Sequence, residues 1–179
     1  MNMIPAYLRD RVTNIPFIKT SDDVTVFFTH KSQLSNHHPS EFDVDGQTFT
    51  SAEQFVMYRK CQLFGAENVA RDILDMRDPV AIKLKAKKLT KFSADTWSQQ
   101  SPDILYEALC AKFTQNDQLK VTLLATADTR LGEACKDPLF GTGLPLTHTK
   151  ALDVTQWTGV NLQGTALMRV RQALRDGTI

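Results

Sequence analysis

An acid and a base stand seven positions apart in the stretch "FTSAEQFVMYRKCQLFG", residues 49–65. On a helical wheel the apolar residues of this stretch form one stripe, and Glu53 and Lys60 lie along its edge. Seven residues correspond to about 10 Å of rise, and helical side chains lean toward the N-terminus, so the lysine reaches back toward the carboxylate. The pattern therefore predicts two polar heads that could share one small ligand.

Two such groups suit chemistry at a sugar carbon. A carboxylate stabilises the cation-like sugar that forms when a ribosyl C–N bond breaks. A lysine kept neutral by apolar neighbours can attack an aldehyde carbon and form a Schiff base. Val56, Met57 and Phe64 would supply those neighbours here.

A structural interpretation competes with this one. The residues from Thr50 to Glu53 fit a capping box, in which the glutamate accepts a hydrogen bond from the Thr50 N–H. Lys60 could lay its aliphatic stem along the edge of the core. From this stretch alone, the structural interpretation is the favoured one.

The stretch "LSN", residues 34–36, places a hydroxyl and an amide side by side. Ser35 and Asn36 could bind sugar hydroxyls or close a turn, and by sequence alone the turn is favoured. His37 and His38 follow directly. With no suitably spaced third ligand, they are interpreted as exposed loop histidines and not as a metal site.

The stretch "KDPLFGTGL", residues 136–144, sets an acid, an aromatic ring and two glycines close together. Asp137 could orient a ribose or a water, and Phe140 could stack on a base. Gly141 and Gly143 would let the backbone approach a ligand. The spacing is not GxGxxG, so a Rossmann nucleotide loop is not predicted.

Trp97 and Asn161 are further candidates. Trp97 could cover a base or be partly buried. Asn161 is predicted to be the N-cap of the last helix, and helix N-termini also bind phosphates.

One helix also carries a lysine-rich face that could attract phosphates or nucleic acid, although a solvated face is favoured because no aromatic residues are interleaved. Its members are Lys83, Lys85, Lys87, Lys88 and Lys91.

Composition bounds the class of protein. The chain has 179 residues, 42% hydrophobic and 23% charged, with a formal net charge of +1, which is typical of a globular domain without a global attraction to nucleic acid. Its three cysteines are scattered, so neither a disulfide framework nor a zinc site is predicted, and a reducing cytoplasm is expected. No signal peptide and no apolar run near the ~20 residues of a membrane span is evident.

Strand and helix signals favour an α+β fold, a predominantly helical single domain with a small N-terminal antiparallel sheet. Residues 1–23 are expected to form an irregular arm and residues 24–179 the domain. Strands are expected at 24–30 and 129–135, with a hairpin at 41–49 that turns at Asp45-Gly46. Helices are expected at 51–64, 67–76, 79–92, 101–116, 117–126 and 161–175.

Taken together, these stretches resemble the NADAR superfamily of YbiA-like N-glycosidases, from about residue 24 to residue 174. The matching pieces, in order, are "LSN", "FDVDGQTFTSAEQF…YRK", "DPVAIKLKAKKL", the tryptophan at 97, "EALCAKFTQNDQLKVTLLATADTRLGEA", "DPLFGTG" and "NLQGTALMRVR". The order and spacing of the pieces make the resemblance specific, although each piece alone is weak.

The resemblance implies a YbiA-like fold, hydrolysis of the N-glycosidic bond of a ribosylated base, and no metal or redox cofactor. Family substrates include phosphoribosylamino-pyrimidine intermediates of riboflavin synthesis and ADP-ribose attached to guanine. The expected partner is therefore a nucleotide-sugar or ribosylated base, with ADP-ribosylated DNA as one form, and no interaction with a membrane is expected.

The resemblance also implies site residues. On this basis Glu53, Lys60 and Asp137 are predicted to be catalytic, with Lys60 forming the Schiff base. The predicted substrate-binding residues are Ser35, Asn36, Trp97, Phe140, Gly141, Gly143 and Asn161.

The departures from the family pattern include the following three positions. Gln54 stands where many members have histidine, His37 where an aromatic residue is common, and Phe140 where tryptophan is usual. These departures motivate a second hypothesis, a module that binds ADP-ribose or a nucleotide without cleaving it.

Overall fold

The computed structural model describes residues 17–179, and residues 1–16 lie outside the described part. The strands are β1 (Ile18–Thr20), β2 (Val24–Phe27), β3 (Phe42–Val44), β4 (Gln47–Phe49) and β5 (Arg130–Glu133). The helices are α1 (Ala52–Leu63), α2 (Glu67–Leu74), α3 (Pro79–Lys85), α4 (Ala94–Thr114), α5 (Asp117–Leu124) and α6 (Leu162–Asp176), with a short 3-10 helix at Val154–Gln156. The predicted α+β class is confirmed.

Two small sheets accompany the helices. β3 and β4 form the expected antiparallel hairpin, and both turn residues, Asp45 and Gly46, have the positive φ angles that a tight two-residue turn requires. The other sheet has the order β1-β2-β5, with β1 antiparallel and β5 parallel to β2. The parallel pair was not anticipated, because about a hundred residues and five helices separate β2 from β5 along the chain.

The predicted arm and two helix boundaries are wrong. β1 lies inside the segment expected to be irregular, and pairing with β2 explains its extended form. α3 ends at Lys85, not near residue 92, and the chain then turns so that the Phe92 ring packs 5.2 Å from that of Phe64. The part of the predicted arm before residue 17 lies outside the described residues.

Helix α4 begins seven residues before the predicted start. Ser93 is its N-cap and accepts a hydrogen bond from the Thr96 N–H at 3.2 Å. Pro102, interpreted as a helix start, lies inside the helix, where it removes one backbone hydrogen bond. Burial of Trp97 and Leu105 on either side of the proline offsets that loss.

The core surrounds α1, which packs against α2, α3 and α4, while α6 packs against α4 and β5. Phe49 and Phe55 meet edge to face with ring centroids 4.9 Å apart, and both rings are buried. Among residues 17–179, every helix is too short or too polar to cross a membrane.

Gln54 fastens the start of α1 to the end of α2. The side-chain oxygen accepts from the Thr50 N–H at 2.7 Å, and the side-chain nitrogen donates to the carbonyls of Ile73, Leu74 and Met76. Ser51 is the N-cap and accepts from the Gln54 N–H. The predicted capping box is therefore shifted by one residue, with Gln54 in the position assigned to Glu53, which leaves the Glu53 carboxylate free of a capping role.

Replacement of Gln54 by methionine should lower the free energy of unfolding by about 3 kcal/mol, because it leaves several buried backbone groups without partners. Urea unfolding measures this loss. The matched control is Gln62→Met on the same helix, where the amide bonds only the Tyr58 hydroxyl among the described residues, and a cost below about 1 kcal/mol is expected. Equal losses in the two variants would contradict the fastening role.

Lys112 is fully buried on α4 and holds the loop between β2 and β3. Its ammonium nitrogen donates to the carbonyls of Gln33 and Ser35, both at 2.8 Å. Burial lowers the pKa of Lys112 to about 7. The position of the loop therefore depends on a lysine whose charged form is destabilised by burial.

Lys112 should make the protein more stable as pH rises. Its pKa in the unfolded chain is the ordinary one, so between about pH 7 and pH 10 the unfolded state binds a proton that the folded state does not, and unfolding becomes harder with increasing pH. The unfolding free energy of the natural chain minus that of Lys112→Met should therefore increase with pH in this range, at a slope approaching about 1.4 kcal/mol per pH unit. Lys91→Met, at an exposed site, is the control: it keeps Lys112, so its unfolding free energy should rise with pH in parallel with that of the natural chain. Parallel curves for all three proteins would refute the assignment.

Candidate functional site

A cleft of about 300 Å³ opens between α1, α3, the start of α4 and the loop after β5. It brings together five of the predicted site residues from separate elements: Glu53, Lys60, Trp97, Asp137 and Phe140. The remaining lining residues are Met57, Lys83, Lys87, Phe92, Pro138 and Leu139. A larger and more open depression, about 600 Å³, lies over Glu41, and the described residues that line it include no predicted site residue.

Glu53 is buried in the first turn of α1, only 4% exposed, yet its carboxylate reaches the cleft. The backbone N–H donates to the Asn36 carbonyl at 3.0 Å. One carboxylate oxygen lies 3.5 Å from Nε2 of His37, and the other has no hydrogen-bond partner among the described residues. A buried carboxylate with an unused acceptor oxygen is suited to bind a donor or take up a proton.

Lys60 lies two turns further along the same helix, and its head enters the same cleft. The Nζ atom is 4.6 Å from the ring centroid of Phe92 and 5.2 Å from that of Trp97. Burial in this apolar setting lowers the pKa of the lysine, although the charges of Cys61 and Glu53 partly oppose the shift. A larger neutral fraction makes the amine a better nucleophile.

Lys83 and Asp137 face each other across the cleft at 3.7 Å. One oxygen of Asp137 accepts from the backbone N–H groups of Leu139 and Phe140, both at 3.0 Å, which holds the carboxylate still. Burial opposes the charge of Lys83, but Glu53, Asp137 and Glu133 outweigh it and raise the lysine pKa. Lys83 therefore lines the cleft while its side chain keeps partial contact with solvent.

Aromatic rings form one wall. Trp97 and Phe140 have ring centroids 6.3 Å apart and planes inclined by 31°, and Phe92 also lines the cleft. The slot beside them suits a flat, apolar group such as a base. Their binding of a base stays a prediction.

Ser35 and Asn36 are buried beside Glu53. The Ser35 hydroxyl accepts from the His37 N–H at 3.2 Å, which closes the turn that the sequence favours. The Asn36 side-chain oxygen is buried and has no hydrogen-bond partner among residues 17–179. Asn36 therefore retains an unused acceptor atom.

The predicted glycines pack against the protein itself. A Cβ at Gly141 would collide with Cys135, and Gly143 has a positive φ and lies against Thr158. A role for either glycine in admitting a ligand gains no geometric support.

Asn161 occupies the N-cap position of α6, as predicted, but its side chain makes no capping bond. Instead it donates to the Leu131 carbonyl at 2.9 Å and accepts from the Glu133 N–H at 3.2 Å. These bonds tie α6 to the end of β5. The side chain is thus occupied within the fold, and its role in substrate binding stays a prediction.

Sequence reasoning missed two titratable neighbours of Glu53. The contact with Glu53 raises the pKa of His37 despite the opposing effect of burial. Burial, assisted by the negative charge of Glu53, raises the pKa of Glu133 to about 7, with Lys83 and His37 acting in the opposite direction. Glu133 ends a strand far from α1 in the sequence, so no local pattern could have identified it.

Comparison with known proteins agrees with this architecture. The solution structure of YbiA from Escherichia coli superposes with a TM-score of 0.72, covering 98% of this chain and 95% of that one at 23% identity, and so shares the fold. By sequence, N-glycosidase YbiA from Escherichia coli strain K12 is 30% identical over 163 residues, which are 90% of this chain and 89% of that protein.

Two further relatives match over most of their length. Protein irg-1 of Caenorhabditis elegans is 37% identical over 166 residues, 83% of this chain and 78% of that protein. An N-glycosidase of Acanthamoeba polyphaga mimivirus is 31% identical over 163 residues, 84% of this chain and 96% of that protein. The family model of the NADAR domain matches residues 17–175. The chain therefore belongs to the NADAR domain family.

Proposed function

We propose that this protein is an N-glycosidase that hydrolyses the bond between ribose and the nitrogen of a ribosylated base. The observation that carries the proposal is that Glu53 and Lys60 line one cleft, one as a buried carboxylate and the other as a lysine with a lowered pKa. Homology to N-glycosidases at about 30% identity supports the class of reaction. Two substrates fit it, a phosphoribosylamino-pyrimidine of riboflavin synthesis and ADP-ribosyl-guanine.

The first step opens the sugar ring. The lone pair of the base nitrogen forms a double bond to C1, the bond between C1 and the ring oxygen breaks, and that oxygen takes up a proton from solvent, which is returned when the lysine is released. Glu53 stabilises the positive charge that develops at C1. Asp137, held by two backbone N–H groups, positions the sugar.

The second step transfers the sugar to the enzyme. The neutral Lys60 amine adds to C1, a proton passes from the amine to the base nitrogen, and the C1–N bond breaks to release the base. A Schiff base then joins Lys60 to C1. Water adds to C1 with Glu53 as general base, and the lysine is released, so the net change is the consumption of one water.

Lys60 should be trapped covalently when borohydride is added during turnover, because borohydride reduces a Schiff base to a stable amine. Peptide mass spectrometry should find the reduced sugar on Lys60, and Lys60→Ala should give neither adduct nor turnover. Lys91→Ala, which removes an exposed lysine, is the control and should behave like the natural chain. Turnover that persists in Lys60→Ala without an adduct would exclude the Schiff-base route.

Glu53→Gln should keep substrate binding and reduce kcat by at least about 100-fold, since the amide keeps the shape but loses the charge and the basicity. Release of the base is followed by mass spectrometry, with ADP-ribosylated DNA and a riboflavin-pathway intermediate as substrates. An unchanged kcat in the variant would remove Glu53 from the mechanism.

A module that binds ADP-ribose or a nucleotide without cleaving it is the second candidate. The contact that favours it is the one between His37 and Glu53, because the histidine ring occupies one of the two carboxylate oxygens that catalysis would use. Gln54 no longer argues for this candidate, since its side chain bonds α2 and not the cleft. Tight binding of both substrates by the natural chain, with no base released from either, would establish the module.

A further inference from the structure

Helix α3 and the turn that follows it direct two lysines into the cleft. Lys83 and Lys87 line the cleft, whereas Lys85 forms an ion pair with Asp72 of α2. Residues four apart lie about 40° apart around a helix, and residues two apart lie about 200° apart. Although α3 ends at Lys85, the Lys87 N–H donates to the Leu84 carbonyl at 3.3 Å, so the chain keeps turning and brings Lys87 to the side of Lys83.

Both lysine heads have hydrogen-bonding capacity left for a ligand. The Nζ atom of Lys83 lies 3.7 Å from Oδ2 of Asp137, which is longer than a hydrogen bond, and the Lys83 side chain is 39% exposed. Lys87 forms no ion pair with any residue from 17 to 179. The structure of the described residues therefore uses neither ammonium group fully.

The ionisable residues that line the cleft carry more positive than negative groups. Three lysines, Lys60, Lys83 and Lys87, face two carboxylates, Glu53 and Asp137. Lys60 is the residue assigned to the reaction at the sugar carbon, so the two lysines from α3 and its turn are the cations left to bind an anion. Lysine binds phosphate as a point charge, and a positively lined cleft concentrates anions.

The size of the cleft and the number of lysines favour one kind of phosphate. A volume of about 300 Å³ is at the lower end of the range for ligand pockets and suits a compact ligand. A terminal phosphate monoester carries between about 1.5 and 2 negative charges at pH 7 on a single group. Each phosphate of a diphosphate bridge, as in ADP-ribose, carries one. Two adjacent lysines therefore match the monoester better.

We propose that Lys83 and Lys87 form a subsite for a terminal phosphate monoester on the ribosyl group. The inference rests on the proposed function and narrows its substrate to phosphoribosyl compounds in preference to ADP-ribosyl compounds. Different elements then hold the two ends of the substrate, with the aromatic wall binding the base and the lysines binding the phosphate.

Calorimetric titration tests the subsite with three ligands that cannot form a Schiff base, because C1 carries a methoxy group. They are methyl β-D-ribofuranoside, its 5-phosphate, and the methyl ester of that phosphate, which carries one charge as each phosphate of ADP-ribose does. The natural chain should bind the 5-phosphate at least about tenfold more tightly than either of the other two.

Lys83→Met and Lys87→Met should each weaken binding of the 5-phosphate by about tenfold and leave binding of the unphosphorylated riboside unchanged. A purely structural loss would weaken binding of all three ligands alike. Lys87→Arg keeps the positive charge and should keep the preference. Lys88→Met is the matched control, because it removes the neighbouring lysine, which is exposed and does not line the cleft.

Equal affinities of the natural chain for the 5-phosphate and the unphosphorylated riboside would overturn the subsite, and so would the absence of binding by both at about 10 mM. Binding of the methyl ester as tight as that of the 5-phosphate would overturn the assignment to a terminal phosphate. A preference retained in full by Lys87→Met would remove Lys87 from the subsite. Because the natural chain alone decides the first two points, misfolding of a variant does not protect the proposal.

These measurements need no turnover, so they separate the subsite from the reaction. A preference for the 5-phosphate without release of base from any substrate would overturn the N-glycosidase and leave the subsite standing. Cleavage of a phosphoribosyl substrate and its dephosphorylated counterpart with equal kcat/KM would overturn the subsite and leave the N-glycosidase standing.

Discussion

The first turn of α1 is the constraint on which the site depends. The initial N–H groups of a helix have no acceptors within the helix and must find them elsewhere. Here the Ser51 hydroxyl accepts from Gln54, and the Asn36 carbonyl accepts from Glu53. The second of these bonds brings the loop at residues 34–37 against the helix, and with it His37, at the point where the Glu53 side chain leaves the backbone.

That loop is held on its other side by Lys112, so a buried cation on α4 determines where groups beside Glu53 lie. Gln54 also fixes the position of the first turn of α1, because its side chain joins α1 to α2. The carboxylate itself takes no part in capping. Structural bonds made by its neighbours thus leave one oxygen of the Glu53 carboxylate without a partner within residues 17–179, and Glu53 lines the cleft. Such a buried, incompletely paired group is a candidate for reactivity.

The surroundings of two lysines in the cleft shift their pKa values in opposite directions. Lys60 is surrounded by aromatic rings and its pKa falls, while Lys83 is surrounded by acids and its pKa rises. The pKa values of two lysines in one cleft are therefore shifted in opposite directions. Burial, assisted by the negative charge of Glu53, raises the pKa of Glu133.

The sequence by itself determined the elements whose signals are local. Helical periodicity defined α1 and the last helix, and the Asp45-Gly46 pair defined the hairpin, because backbone conformation at these places depends on neighbours within a few residues. It also placed Glu53 and Lys60 on one helical edge, since two turns of helix have a known geometry. Tertiary structure alone decided the rest. The pairing of β2 with β5, the entry of Lys83 into the cleft, and the approach of His37 and Glu133 to Glu53 join segments far apart in the chain. Such contacts follow from the packing of the whole core and leave no local pattern.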